Sequence, residues 1–142
     1  MTSLDALCDW FDRLSPATLH ELDRYYADDA RFKDPFHEVQ GVAAIHAILE
    51  HTFRKLPGAR FRVTRRLAGT GADAAILWEM DFVMPLTRRP TTIRGATHLA
   101  FDANGKVTLH RDYWDAAEEL YGRLPLLGWL MRALARQAAA PR

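Results

Sequence analysis

The sequence has a single cysteine, Cys8, among 142 residues, and that scarcity excludes a disulfide within the chain. A protein without disulfides fits a reducing compartment. Charge of one sign is also lacking: 19 basic and 18 acidic residues leave a net charge of +1, which argues against nucleic acid as the main partner. No apolar run reaches the length of a membrane span, and no secretory leader is recognisable at the N-terminus. We therefore expect a cytoplasmic protein.

Linkers, internal repeats and low-complexity segments are missing as well, so residues 1–142 are expected to form one domain. Hydrophobic residues make up 49% of the chain, which is enough for a core that needs no disulfide or metal. The six histidines show no zinc-ligand spacing, the glycines form no phosphate-binding loop before a helix, and no serine sits in a nucleophile elbow. We therefore expect no metal and no cofactor.

The spacing of apolar residues predicts the order of helices and strands. The predicted helices are 3–14, 15–26, 42–53, 115–121 and 126–135. The predicted strands are 30–34, 60–67, 75–86, 91–101 and 106–114. Because the later strands follow one another without long crossovers, they should form an antiparallel sheet. The predicted fold class is α+β, a cone-shaped curved antiparallel sheet packed against the N-terminal helices.

The longest strand pattern, residues 75–86, alternates large apolar side chains with a second set that includes acids. The apolar set is Ile76, Trp78, Met80, Phe82 and Met84. Successive strand residues point to opposite faces of a sheet. The apolar set should therefore face inward, whereas Glu79 and Asp81 should face solvent.

Asp34 stands where a short predicted strand ends. Pro35 disfavours helix at Asp34 and leaves it extended, beside Phe36. A carboxylate held against apolar surface has its charged form disfavoured, so Asp34 could accept a proton near neutral pH. The competing interpretation is a solvated turn aspartate, because short acidic side chains readily bond nearby backbone.

The final predicted strand carries three chemically useful side chains on one face, His110, Asp112 and Trp114. What lies opposite them depends on the hairpin turn, because a slip of one residue reverses every side chain. A two-residue turn at residues 104–105 would pair Thr97 with Asp112. A three-residue bulged turn would instead put Ala96 and His98 beside Asp112.

Two segments carry a resemblance to a known family. YADDARFKDPF at residues 26–36, followed by a glycine and a helix with an Ala-Ile step, resembles the opening of the ketosteroid isomerases. HLAFDANGKVTLHRDYWDAAEEL at residues 98–120 resembles the last hairpin of the same families, which belong to the nuclear transport factor 2-like, or SnoaL-like, superfamily. The resemblance covers roughly residues 4–120. It implies a single SnoaL-like domain with a pocket for a hydrophobic small molecule, and cofactor-free acid–base chemistry on a ketone, steroid or polyketide-like ligand.

The ketosteroid isomerases imply roles for individual residues. Asp34 matches their general base, which carries a proton between carbons, and Trp114 matches a tryptophan that lines the steroid site. Trp10 and Thr97 stand where those enzymes have the two donors of the oxyanion hole. Tyr26 keeps the remaining tyrosine of that network.

The same resemblance helps to choose between the two possible pairings of the last two strands, and it raises a second hypothesis on function. The matches of Thr97 and Trp114 both point inward, which favours the pairing of Thr97 with Asp112 and leaves His98 on the outer side as a structural histidine. Neither Trp10 nor Thr97 is an acidic donor, and losing one oxyanion-hole donor typically costs about 10²–10³ in rate. The second hypothesis is therefore a non-catalytic module that binds an apolar ligand or dimerises through its sheet.

The SnoaL-like polyketide cyclases imply a second catalytic carboxylate. Their acid–base aspartate matches Asp112, and their partner histidine aligns with Thr97, so His110 would substitute for it. Two carboxylates in one apolar pocket would push their proton affinities apart, giving one acid and one base. The predicted catalytic residues are Asp34, Asp112 and His110. The predicted ligand-binding residues are Trp10, Tyr26, Phe36, Trp78, Met80, Phe82, Met84, Ile93, Thr97 and Trp114.

The last stretch, residues 123–142, is predicted to be a C-terminal amphipathic helical extension. From Arg123 onward the sequence holds four arginines and no acid. The apolar content favours docking on the fold or on a partner in a homodimer, because a lone exposed stripe would be a liability. The alternative is a helix that lies on an anionic membrane surface.

Overall fold

The computed structural model describes residues 2–141. In that part of the chain the α-helices are α1 Ser3–Arg13, α2 Leu22–Tyr25, α3 Val42–Lys55, α4 Ala116–Glu119 and α5 Pro125–Ala138. The strands are β1 Tyr26–Lys33, β2 Glu38–Gln40, β3 Arg60–Ala68, β4 Asp73–Val83, β5 Pro90–Phe101 and β6 Val107–Tyr113. They form a curved, unclosed sheet in the order β2-β1-β6-β5-β4-β3, antiparallel throughout except between β1 and β6. The predicted α+β class is confirmed.

The second predicted helix is shorter than its sequence pattern indicates. In place of one helix over residues 15–26, the chain forms a 3-10 turn at Leu19–Glu21 and then the single turn of α2, and Tyr26 already belongs to β1. Local side-chain bonding accounts for this difference. The Ser15 backbone N–H donates to Thr18 Oγ1 at 3.0 Å, and such bonds offer the backbone an alternative to helix.

The hairpin of β1 and β2 places Asp34 at a turn. β2 was not predicted, because a strand of three residues is too short to show alternation. It pairs with β1 through Phe32 and Val39. The Asp34 backbone N–H closes the connection by donating to the His37 carbonyl at 3.0 Å.

The inner face of the sheet is apolar along β4, as the alternation predicts. Every member of the predicted set, Ile76, Trp78, Met80, Phe82 and Met84, is buried. Trp78 lies opposite Gly95 of β5. A side chain at Gly95 would collide with the Trp78 ring, so the glycine leaves the space that this indole occupies.

The turn between β5 and β6 is not the two-residue turn that was favoured. Asp102 donates its backbone N–H to the Lys106 carbonyl at 2.8 Å, which encloses a three-residue loop. Gly105 in this loop has a left-handed φ of 77°, the conformation that three-residue hairpin loops require at their last position.

A bulge on β6 nevertheless preserves the favoured pairing. Ala100 pairs with Leu109 whereas Phe101 pairs with Val107, so Thr108 is the extra residue of a β-bulge. The bulge offsets the longer turn by one residue. Thr97 therefore pairs with Asp112, as the family comparison had favoured.

Candidate active site

A cavity opens between the inner face of the sheet and helix α3. Its volume is about 510 Å³. The predicted ligand-binding residues on its wall are Phe36, Trp78, Met80, Phe82, Met84, Ile93 and Trp114. Its few polar groups come from Asp34 and His37, from one turn of α3, and from Asp112. An apolar chamber with a small number of polar groups is the usual make-up of a small-molecule site.

The cavity narrows toward β6. A further volume of about 50 Å³ continues it inward. Thr97 and His110 line this inner end, whereas Trp78 and Asp112 line both parts. Asp112 therefore stands where the apolar chamber meets a buried polar corner.

Five side chains from four strands form a hydrogen-bonded chain in that corner, which we call the polar network. The Tyr26 hydroxyl lies 2.6 Å from His110 Nδ1, and His110 Nε2 lies 2.7 Å from Asp112 Oδ1. Thr97 Oγ1 donates to the same Asp112 oxygen at 2.5 Å. The Trp78 indole N–H donates to Thr97 Oγ1 at 2.8 Å. The network thus joins β1, β6, β5 and β4 beneath the cavity floor.

Asp112 uses only one of its two carboxylate oxygens in the polar network. Oδ1 accepts from both Thr97 and His110, whereas Oδ2 has no hydrogen bond to any residue between 2 and 141 and is not sealed from solvent. The Asp112 side chain is 18% exposed. Two donors on one oxygen fix the orientation of the carboxylate, and the other oxygen remains available to a ligand.

Tyr26 determines where the hydrogens of the polar network lie. Burial, and then the charge of Asp112, raise the pKa of Tyr26 well above its ordinary value of 10.0. Tyr26 therefore keeps its proton, and its O–H can donate a hydrogen bond to His110 Nδ1, which lies 2.6 Å away. With Nδ1 accepting, a neutral His110 carries its hydrogen on Nε2 and donates it to Asp112.

Asp34 also lies on the cavity wall, but it is not a carboxylate isolated against apolar surface. Its Oδ1 accepts from the backbone N–H groups of Phe36 and His37 at 2.8 and 2.6 Å, and lies 3.0 Å from His37 Nδ1. The side chain is 14% exposed. These contacts are the ones expected of a turn aspartate that bonds nearby backbone, which was the competing interpretation. Asp34 combines them with a place on the cavity wall.

Two predicted ligand-binding residues do not line the cavity. Trp10 belongs to the core, where its ring stacks on Tyr25 and its indole N–H donates to the Thr18 carbonyl at 3.2 Å. Tyr26 is buried behind His110. The family comparison matched their places along the chain, but the Trp10 ring turns to Tyr25 and the Thr18 carbonyl, whereas its neighbour Phe11 lines the inner end of the cavity.

Three polar residues of α3 at the cavity mouth were not predicted, namely His51, Thr52 and Lys55. They continue the inward face of α3 by one turn beyond Ile48, at helical spacing. Following that face past its last apolar residue would have found them. His98 lies outside the cavity, with Nε2 3.4 Å from Asp73.

Among residues 2–141, no three His, Cys, Asp or Glu side chains gather as a metal site. No helix in the same range has the length and apolar character needed to cross a membrane.

Comparison with known proteins identifies relatives of the chain. A family model described as SnoaL-like domain matches residues 8–110. No curated protein matches the chain.

Several solved structures share the fold. An NTF2-like protein of unknown function from an Exiguobacterium species is 20% identical, with a TM-score of 0.67 over 80% of this chain and 98% of that one. A hypothetical protein with a ketosteroid isomerase-like fold from Catenulispora acidiphila, in complex with trimethylamine, is 18% identical, with a TM-score of 0.69 over 84% and 92%. A candidate isomerase of the SnoaL-like family from Agrobacterium tumefaciens is 18% identical, with a TM-score of 0.63 over 80% and 94%.

Proposed function

Since this chain belongs to the SnoaL-like domain family, we propose that it is a small-molecule enzyme whose side chains move protons on a hydrophobic ketone, steroid or polyketide-like ligand. The apolar chamber supports a flat hydrophobic substrate. Its volume of about 510 Å³ falls in the range of ligand pockets. The chemistry proposed is acid–base catalysis that uses no cofactor.

The observation that carries this proposal is the free oxygen of Asp112. Asp112 lines the cavity, its Oδ1 is held by His110 and Thr97, and its Oδ2 has no hydrogen bond within residues 2–141. In the proposed step, Oδ2 takes a proton from the carbon next to a ketone, and the electrons of that C–H bond form an enolate. Asp112 then returns the proton to another carbon, or the enolate carbon bonds to a carbonyl carbon in the same molecule and the alkoxide formed from that carbonyl takes the proton back from Asp112. His110 and Tyr26 hold Asp112 in position through the polar network.

Asp34 serves in this proposal as a second carboxylate at the cavity wall. Its Oδ1 already accepts hydrogen bonds from two backbone N–H groups and the His37 ring, so the loop occupies that oxygen.

Two observations favour the alternative, a module that binds an apolar ligand without transforming it. An enolate needs preorganised donors. The Trp10 N–H is committed to Thr18, and the Thr97 hydroxyl is committed to Asp112. Neither group is free to stabilise an oxyanion in the cavity.

Exchange of ketone α-hydrogens for deuterium, followed by NMR with a panel of polycyclic ketones, tests the proposal. The wild-type chain should accelerate exchange. Asp112→Asn should lower that rate by about 10²–10⁴, the usual contribution of a positioned general base, while ketone binding persists. Asp29→Asn, which changes an exposed aspartate, should have no effect. Ketone binding without accelerated exchange would instead support the binding module.

We infer a cytoplasmic homodimer from two further features. The single cysteine, Cys8, is free and buried, which suits a reducing compartment. Leu77, Val83 and Tyr113 are exposed apolar side chains, and each alternates with the inward set of its strand, so they lie on the outer face of the sheet. Light scattering of the purified chain tests self-association through this face, and Leu77→Glu should weaken it.

A further inference from the structure

Helix α5 leaves its apolar stripe uncovered. Leu126, Trp129, Leu130 and Leu134 are 81%, 59%, 43% and 55% exposed. At about 100° per residue, these four side chains share one face of the helix. We call this face the α5 stripe. Exposed apolar groups of this size in a contiguous patch mark an interaction surface.

The opposite side of α5 holds the helix on the preceding segment. Gly128 is buried against Gly122, where a side chain would collide with the Gly122 carbonyl. Arg132 Nη1 donates to that carbonyl at 2.9 Å. Because these contacts lie away from the α5 stripe, the predicted docking of the stripe on the chain's own fold does not occur. A partner would have to cover it.

Charge distinguishes the partners that could cover the stripe. Residues 120–141 contain arginine but neither aspartate nor glutamate. Arg136 flanks the α5 stripe on the side of Trp129. Within this segment Arg123 alone has an ion pair, with Glu119 at 3.0 Å. Two α5 helices packed stripe to stripe would bring arginines together without an intervening acid, and like charges repel.

We propose that α5 lies in the interface of a membrane that contains anionic lipids. The α5 stripe enters the acyl-chain boundary, Arg136 meets the headgroups, and Trp129 takes the interfacial position that amphipathic rings favour. An apolar face with cationic flanks is the combination that such helices share.

The segment that carries α5 also forms part of the cavity wall. Trp114 and Leu120 line the cavity, and Leu124 packs against the core immediately before α5. A chain held at a membrane by α5 therefore keeps its cavity near the lipid in which an apolar ligand dissolves. The membrane proposal does not depend on whether that ligand is transformed or only bound.

Co-sedimentation of the full chain with vesicles tests the proposal. Vesicles of phosphatidylcholine and phosphatidylglycerol in equal parts should bind the chain, pure phosphatidylcholine vesicles should bind it more weakly, and salt should reduce the difference. Leu130→Gln should weaken binding about tenfold, because it removes one leucine from the apolar contact. Arg136→Glu should weaken binding to the anionic vesicles only.

A matched control uses an exposed leucine elsewhere. Leu86→Gln changes a side chain of 79% exposure in the loop between β4 and β5, and it should leave vesicle binding unchanged. All three substitutions are at exposed positions, so circular dichroism should report a folded chain. Failure to bind anionic vesicles at low salt, or equal binding to both vesicle types, would overturn the proposal. A dimer that Leu130→Gln dissociates in the absence of lipid would overturn it in favour of a second copy.

Discussion

Asp112 and Asp34 are carboxylates on the wall of one cavity, yet different parts of the chain hold them. Asp112 accepts from His110 and Thr97, which are side chains on two strands. Asp34 accepts from the backbone and ring of residues two and three positions further along its own loop. A carboxylate fixed by the sheet has a free oxygen in a defined place, whereas one fixed by its own loop mainly shapes that loop. The comparison predicts different consequences for changes at the two positions.

The largest contrast is expected in turnover. Asp34→Asn should lower the rate of α-hydrogen exchange by about tenfold or less, against about 10²–10⁴ for Asp112→Asn. The reason is that Asp34 Oδ1 is engaged by its loop, whereas Asp112 Oδ2 is free. Initial rates at saturating ketone measure both. Equal losses for the two variants would remove the distinction between a reacting carboxylate and a supporting one.

Stability should show the next largest contrast. His110→Leu should lower the free energy of unfolding by about 1–3 kcal/mol, because it leaves the buried Tyr26 hydroxyl without its partner. His37→Leu, at a half-exposed position, should change it by less than about 0.5 kcal/mol. Urea denaturation followed by fluorescence measures both. Adding Tyr26→Phe to His110→Leu should restore part of the loss, and no restoration would mean that the hydroxyl is satisfied in another way.

Alkaline pH should act on the polar network through Tyr26. Burial raises the folded-state pKa of Tyr26 well above 10.0, so its contribution to stability is complete below about pH 10 and is lost as the pH rises toward the folded pKa. The slope for one proton approaches about 1.4 kcal/mol per pH unit. Urea denaturation should be followed from about pH 9 to about pH 11, one unit either side of the pKa of about 10 of free tyrosine. Over this range the free energy of unfolding should fall more steeply for wild type than for Tyr26→Phe. Identical slopes would contradict a buried, protonated Tyr26.

The smallest effect is expected at the Asp34 loop. Asp34→Ala should lower the free energy of unfolding by about 1 kcal/mol, as the loss of a helix cap does, because two backbone N–H groups lose their acceptor. Asp34→Asn keeps an acceptor oxygen and should recover most of that loss. Thermal unfolding of the two variants in parallel measures the difference, and an alanine variant as stable as wild type would show that the loop needs no such support.

Strand alternation made the sheet and much of the cavity wall predictable from the sequence. The apolar set on β4 had one possible inward side, because the period of a strand is two residues. The Thr97–Asp112 pairing was predicted from an incorrect turn. The three-residue loop and the bulge at Thr108 each shift the pairing of β5 with β6 by one residue, in opposite directions, so the two shifts cancel. Neither the loop nor the bulge could be predicted from the sequence by itself.

Long-range packing limited the prediction elsewhere. Trp10 was placed in the site by its position in the family, but contacts of α1 with its neighbours direct the indole to Thr18. Helical periodicity showed that α5 has an apolar face, yet periodicity carries no information on what that face meets. The donors to Asp34 were predictable, because a turn aspartate bonds the residues that follow it.

The position of β6 between β1 and β5 has a consequence for synthesis of the protein. Tyr26 and His110 are 84 positions apart, so β1 leaves the ribosome long before the strand that will pair with its second edge. Until β6 is made, β1 and β5 both present unpaired edges, which invite aggregation. Asp112 arrives with that same late strand, and the nascent chain therefore completes its polar network in the step that completes the sheet.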